Sequence, residues 1–226
     1  MVPIIHLRTV TAILSTVALM AVSGCGGDTP TPEPTTAKTS ASATGGQTYS
    51  SKAFALPLTV TVDPVLASSP SRDSRNLLSW DAVASRDNKV RFLVPVELYR
   101  PGKSTPEAPP KDYLTYLEGL TKAGVDESQV GKISVDGNPA TLMTMTWAVD
   151  ASHPEGSFDG VLGCPTRGLE RSSDDCYGPQ PDLLLRLAFI DVGDTPLLAW
   201  ARMPKDHPDP AFAAQFERML TTARLS

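Results

Sequence analysis

The sequence predicts an α+β layered sandwich: an antiparallel sheet of about six strands flanked by helices. Three observations carry that prediction. Two pairs of long apolar runs are each joined by a two-residue, glycine-containing turn, at Asp136-Gly137 and at Gly193-Asp194. A helical stripe surrounds Tyr113, and a second helical stripe closes the chain. Tight turns demand antiparallel pairing, and a helix with one apolar stripe buries it by lying on the sheet.

In chain order, Phe54–Val62 (FALPLTVTV) alternates after Pro57 and is expected as the first strand. Asn88–Tyr99 (NKVRFLVPVELY) is expected as the second; Pro95 removes a ladder donor, so this strand should be bulged or lie at an edge. Between them, Leu77, Leu78 and Trp80 are expected in the core and the rest in loop. Pro109–Gly124 is the first predicted helix, with Tyr113, Tyr116, Leu117 and Leu120 on one face and Gly124 at the left-handed position beyond its end. Asp126–Val130 reads as a connector.

Gly131–Asp150 is a predicted hairpin. Its second arm, ATLMTMTWAV, puts Thr141, Met143, Met145, Trp147 and Val149 on one face and Leu142, Thr144 and Thr146 on the other, the pattern of a central strand. The Met143/Met145/Trp147 stripe either fills the core, the commoner use of such residues, or lines a ligand site. Leu183–Met203 is the second hairpin and carries Trp200. Its two charges, Arg186 and Arg202, read as strand-face ends or as pocket cations. Asp209 and Pro210 supply an N-cap and a first-turn proline for the last helix, whose Phe212, Phe216, Met219 and Leu220 form one stripe.

The residues before this domain are of different character. Arg8 is followed by an apolar run of about 13 residues, VTAILSTVALMAV, too short for a spanning helix, which needs roughly 20. Val22-Ser23-Gly24-Cys25 then resembles the lipobox of bacterial, actinobacterial-type membrane lipoproteins. The resemblance implies that residues 1–24 are a signal peptide. It also implies that Cys25 carries diacylglycerol and that the mature protein is held on the extracytoplasmic face of the cell membrane. Residues 25–51 are rich in Thr, Pro, Gly and Ser, and Gly26–Ser51 has no Leu, Ile, Val, Phe or Trp, so this stretch is expected as a disordered tether. Residues 52–226 remain as one domain, long enough for a proper core.

With 20 Lys+Arg against 25 Asp+Glu, the net charge of −5 gives no footing for nucleic acid, which selects a basic face. Of three cysteines, Cys25 is assigned to lipid. Cys164 and Cys176 form an even remainder that, in an exported protein, reads as a disulfide; a metal site would need further ligands.

The order of elements and the motifs V-D-G before a long apolar strand and F-x-x-x-F-x-x-M-L in the closing helix resemble the Mog1/PsbP-like sandwich, of which LpqN-type lipoproteins are members. The resemblance spans roughly residues 54–226. It implies a binding or accessory role, because that fold serves mostly as a non-enzymatic module.

Residues 150–182 form the one long loop expected inside the domain, and such loops are commonly functional. It carries His153, Asp174, Asp175 and Tyr177 among other polar residues. No G-x-S-x-G, phosphate-binding loop or metal-ligand spacing occurs, so no catalytic residue and no cofactor is assigned. The expected function is a non-enzymatic ligand-binding or accessory module of the cell envelope. Its expected surface is Met143, Met145, Trp147, His153, Asp174, Asp175, Tyr177, Arg186 and Trp200. Its partner is a small apolar or lipid-like ligand, besides the membrane lipid at Cys25. The alternatives are a protein-docking module working through residues 150–182 and an envelope hydrolase with a dispersed active site.

Overall fold

The computed structural model of the chain describes residues 45–147 and 159–225. Among these, the strands are β1 (Gln47–Ser50), β2 (Thr59–Val62), β3 (Arg72–Asp73), β4 (Leu77–Asp81), β5 (Lys89–Leu93), β6 (Val125–Val135), β7 (Asn138–Trp147), β8 (Leu183–Val192) and β9 (Thr195–Pro204). The α-helices are α1 (Tyr113–Glu118), continued by a 3₁₀ segment over Gly119–Ala123, and α2 (Pro210–Thr222). β3 to β9 form one antiparallel seven-stranded sheet in the order β3-β4-β5-β9-β8-β7-β6, and β1 and β2 pair as a separate ribbon. The fold is α+β, as the two hairpins required.

Those hairpins form where the turn chemistry puts them. Asp136 and Gly137 both have positive φ (49° and 81°), the type I′ geometry that matches strand twist. Gly193, at φ 60°, opens the β8–β9 turn. Period-two alternation then sorts the side chains of β5, β7, β8 and β9 onto two buried faces. On one, Phe92, Leu142, Ala188, Ile190, Leu197 and Ala199 meet the α2 stripe of Phe212, Phe216, Met219 and Leu220. On the other, Leu93, Met143, Met145, Trp147, Leu187 and Trp200 meet Tyr113, Leu117 and Leu120. The second face is also covered by Val161 and Leu162 from the long loop.

The caps follow the sequence. Asp209 accepts from the Phe212 N–H at 3.0 Å with Pro210 in the first turn. Asp112 accepts from the Thr115 N–H at 3.0 Å, which starts α1 at Tyr113 rather than at Pro109. Gly124 closes the segment in the left-handed conformation (φ 97°).

Several expectations are corrected. The main sheet has seven strands, close to the six expected: β3 and β4 are added, the expected first strand pairs in the separate ribbon instead, and β6 is longer than its apolar pattern implies. β6 is an edge strand whose residues are mostly exposed and whose register shifts between Gln129 and Gly131, so the connector expected at Asp126–Val130 is strand without an apolar alternation to betray it. Leu77, Leu78 and Trp80 are in the core, as expected, and they sit there on a strand, β4, that the loop reading of this stretch left out. β5 stops at Leu93, before Pro95, and it is an internal strand between β4 and β9. The first strand is confined to Thr59–Val62, and its partner, Gln47–Ser50, lies inside the stretch read as tether. Tyr49 anchors that partner: its ring packs edge-on against Trp80, with centroids 5.4 Å apart, and its hydroxyl donates to Asp73 at 2.6 Å. Residues 1–44, including the signal-peptide segment and Cys25, lie outside the described residues.

Candidate functional site

Most of the second face of the sheet is packed shut, but its β5–β9 end is polar. β5 and β9 pair with Lys89 opposite Arg202 and Arg91 opposite Trp200. Pairing partners share a face, so Arg91 and Arg202 lie on one face as diagonal neighbours, with Trp200 beside both. The alternation that buries Leu93 and Trp200 therefore also carries two guanidinium groups toward the loop side of the sheet.

That side is roofed by the later part of the long loop. Leu162 N–H donates to the Tyr177 carbonyl at 2.8 Å, and Tyr177 N–H donates back to Gly163 at 3.0 Å, a short ladder cross-linked by the Cys164–Cys176 disulfide. Cys164 exchanges backbone bonds with the chain just after β5: its N–H donates to Glu97, and its carbonyl accepts from Val96. The hydroxyls of Tyr113 and Tyr116 donate to the carbonyls of Leu162 and Val161 at 2.7 and 2.8 Å. Buried Glu97 accepts from the Gly168 N–H at 2.8 Å. Two glycines permit this close stitching. Gly163 has φ 117°, and a Cβ there would stand 2.6 Å from Pro95 Cβ; Gly160 has φ 75°, and a Cβ there would stand 2.8 Å from the Tyr99 ring. The loop is thus a built part of the core, with Val161, Leu162 and Cys164 fully buried.

Between roof and sheet is a cleft of about 320 Å³. Arg91, Arg202 and Trp200 line it from the sheet, and Tyr177, Asp159 and Asp174 from the roof, with Ser172, Ser173 and Gln180 at its edge. The Arg91 guanidinium lies over the Tyr177 ring at 4.7 Å and near the Trp200 ring at 6.0 Å, an arrangement with cation–π character. Arg202 Nε donates to the Asp87 carbonyl at 3.1 Å. Arg72, on β3, pairs with Asp175 and so ties the loop to the sheet edge.

Burial dominates the electrostatics. Desolvation pushes the Arg91 pKa down, and the neighbouring Arg202 charge adds to that; the Tyr177 and carboxylate charges oppose it. Desolvation likewise lowers Arg202. It raises the Tyr177 phenol and the Asp159 carboxyl, the latter held back by a hydrogen bond with Gln180 and by Arg171. An arginine stays protonated in any case, so these directions measure the cost of holding two cations out of water.

The sequence-derived surface is redistributed by this geometry. Met143, Met145 and Trp147 are buried beneath α1 and the loop as part of the core. Trp200 serves both core and cleft, and Tyr177 and Asp174 line the cleft. Asp175 is engaged by Arg72. Arg186 projects to the opposite face, where it pairs with Glu217 of α2 at 2.7 Å and donates to Thr144 at 3.0 Å. His153 lies outside the described residues. Sequence reasoning missed Arg91 altogether and weighed Arg202 only as one of two alternatives. The signal was present: an arginine at an inward position of NKVRFLV, in register with a tryptophan.

No protein-family model matches the chain, and no curated protein matches it. Among solved structures it is similar to cyanobacterial PsbP from Synechocystis, at 8% identity over 86% of this chain and 100% of that one, with a TM-score of 0.41. It is also similar to the Ran-binding protein Mog1p of Saccharomyces cerevisiae, at 12% identity over 80% of this chain and 96% of that one, with a TM-score of 0.39. A Mog1 mutant gives 13% identity over 79% and 96%, with a TM-score of 0.40.

Proposed function

We propose that this chain is a membrane-tethered extracytoplasmic lipoprotein, acylated at Cys25, whose folded domain is a non-enzymatic ligand-binding module of the cell envelope. Its ligand sits in the cleft between the β5–β9 face and the Cys164–Cys176 loop. The observation that carries the reading is the cleft itself. A space of about 320 Å³ is kept open beneath a roof that is otherwise stitched down by backbone ladders, a disulfide and tyrosine hydroxyls. Small-molecule sites are concave, largely preformed and furnished with a few convergent polar groups. The ligand class is revised from the sequence-based expectation. The apolar stripe that motivated a lipid-like ligand is filled core, while the open space is lined mainly by guanidinium, carboxylate and hydroxyl groups, with Trp200, Leu162, Leu183 and Leu185 beside them.

Native mass spectrometry of the protein purified from its own membranes tests the reading. A mass excess that leaves on denaturation, and that is absent from a Trp200→Ala, Tyr177→Ala variant, is the expected result. Unliganded protein together with no cleft-dependent binding of any small molecule overturns it.

A further inference from the structure

Resting on that reading of the cleft, we infer that its ligand is a small organic oxyanion, a carboxylate or phosphate ester, held by Arg91 and Arg202 through its charged oxygens. Its hydrogen-bond-donating body lies against Trp200 and the hydroxyl and carboxylate groups of the roof.

The charge arrangement leads to this assignment. Two cations sit as diagonal neighbours on one sheet face. Among the described residues, neither has a carboxylate within 4.0 Å. Of the nearby acids, Asp81 receives Lys89 Nζ at 2.7 Å and Asp175 receives Arg72, while Asp159 and Asp174 line the cleft from the roof and Asp87 and Asp182 lie near Arg202. Arg91 makes no hydrogen bond among the described residues. Its guanidinium is positioned over the Tyr177 ring, and the donors of a guanidinium lie in its plane, at the edges that a ring beneath it does not occupy. Arg202 spends Nε on the Asp87 carbonyl, which leaves its terminal nitrogens for the cleft. Two half-buried like charges with no carboxylate in ion-pair contact are costly, and an anion bridging them reduces the repulsion and engages the free donors.

The remaining lining sets the rest of the ligand. The cleft is at the low end of the size range for small-molecule sites, which allows an organic body in addition to the anionic head. Asp159 and Asp174, with Ser172 and Ser173, present mainly acceptors and hydroxyls from the roof, so a body bearing hydroxyl or amino donors fits there, its carbon skeleton against Trp200 and Leu185.

The test uses the purified full chain. Thermal unfolding and calorimetric titration are run with glycerol phosphate and with glucuronate, against potassium chloride at equal ionic strength and against neutral glycerol and glucose. At least one oxyanion is expected to raise the unfolding temperature and bind where chloride and the neutral sugars do not, and which of the two does so distinguishes ester from carboxylate. Arg91→Gln and Arg202→Gln are each expected to weaken that binding by about tenfold or more. Should Arg91→Gln fail to fold by circular dichroism, Arg202→Gln decides alone, since Arg202 lies nearer the rim. Binding unchanged in Arg202→Gln, or no oxyanion effect beyond chloride on the wild type, overturns the inference. A neutral molecule retained from native membranes overturns it as well, while leaving the cleft as a ligand site.

Discussion

At Gly163 the backbone takes a conformation that L-residues rarely adopt and passes so close to Pro95 that a Cβ has no room. Gly163→Ala therefore combines a positive-φ cost with overlap against backbone-anchored atoms, each of order 1–2 kcal/mol. The expected result is a loss of about 2–4 kcal/mol in denaturant unfolding, whereas Gly168→Ala, where the Cβ meets nothing, pays only the positive-φ cost. Single residues were also the hardest to read in the sequence. Asp209, Gly124 and the Asp136-Gly137 turn act locally, through their own backbone neighbours, and were legible. Arg91 acts across strands. Its role depends on Trp200 standing opposite and on Tyr177 arriving from a loop 86 positions later, and no local pattern encodes either.

Among the elements, the roof loop differs most from its sequence appearance. The sequence reads residues 150–182 as one long loop rich in polar residues, yet its described part contributes Val161, Leu162 and Cys164 to the interior. The apolar run that would have signalled this is only two residues long, flanked by glycines. The disulfide closes a ring spanning a sequence separation of 12 and is worth about 3 kcal/mol in the loop-entropy account. Replacing both cysteines by Ala is expected to lower stability by about 2–4 kcal/mol and to increase hydrogen exchange at Leu162 and Tyr177, whose backbone ladder borders the bond. Unchanged exchange there would mean that the tyrosine hydroxyls alone hold the roof. The strongly periodic elements, α2, β7 and the β8–β9 hairpin, were read correctly because burial on the sheet imposes periods of 3.6 and 2 on them. β3, β4 and β6 were not, because edge position, short length or two-sided burial erases that period.

For the whole molecule, the tyrosines make stability fall at alkaline pH. Burial raises the phenols of Tyr113, Tyr116 and Tyr177, and a hydrogen bond to Asp73 raises Tyr49 to about 12. In the unfolded chain these phenols lose their protons near pH 10. Above that pH the unfolded state binds fewer protons than the native state, so stability declines as pH rises. The stabilisation is complete below about pH 10 and, for Tyr49, is lost as pH passes through 12. Phenolate absorbance from Tyr113, Tyr116 and Tyr177 should therefore appear together with loss of the far-ultraviolet helix and sheet signal, above the pH at which free phenols ionise. Their ionisation with native circular dichroism retained would contradict the burial of these rings.

The β1–β2 ribbon has a mechanical meaning as well. The chain enters at Gln47, opposite Val62, at the open end of a four-rung ladder whose strands are joined by the connection from Ser51 to Leu58. A pull on the chain before Gln47 thus loads the rungs one after another, as in a zipper, rather than all together in shear. Peeling residues 47–58 away would yield about 40 Å of extended chain at roughly 3.4 Å per residue and would break the Tyr49 and Ser51 hydrogen bonds to Asp73 of β3 on the way. The ribbon and its Asp73 anchor are thus the first contacts such a pull would load.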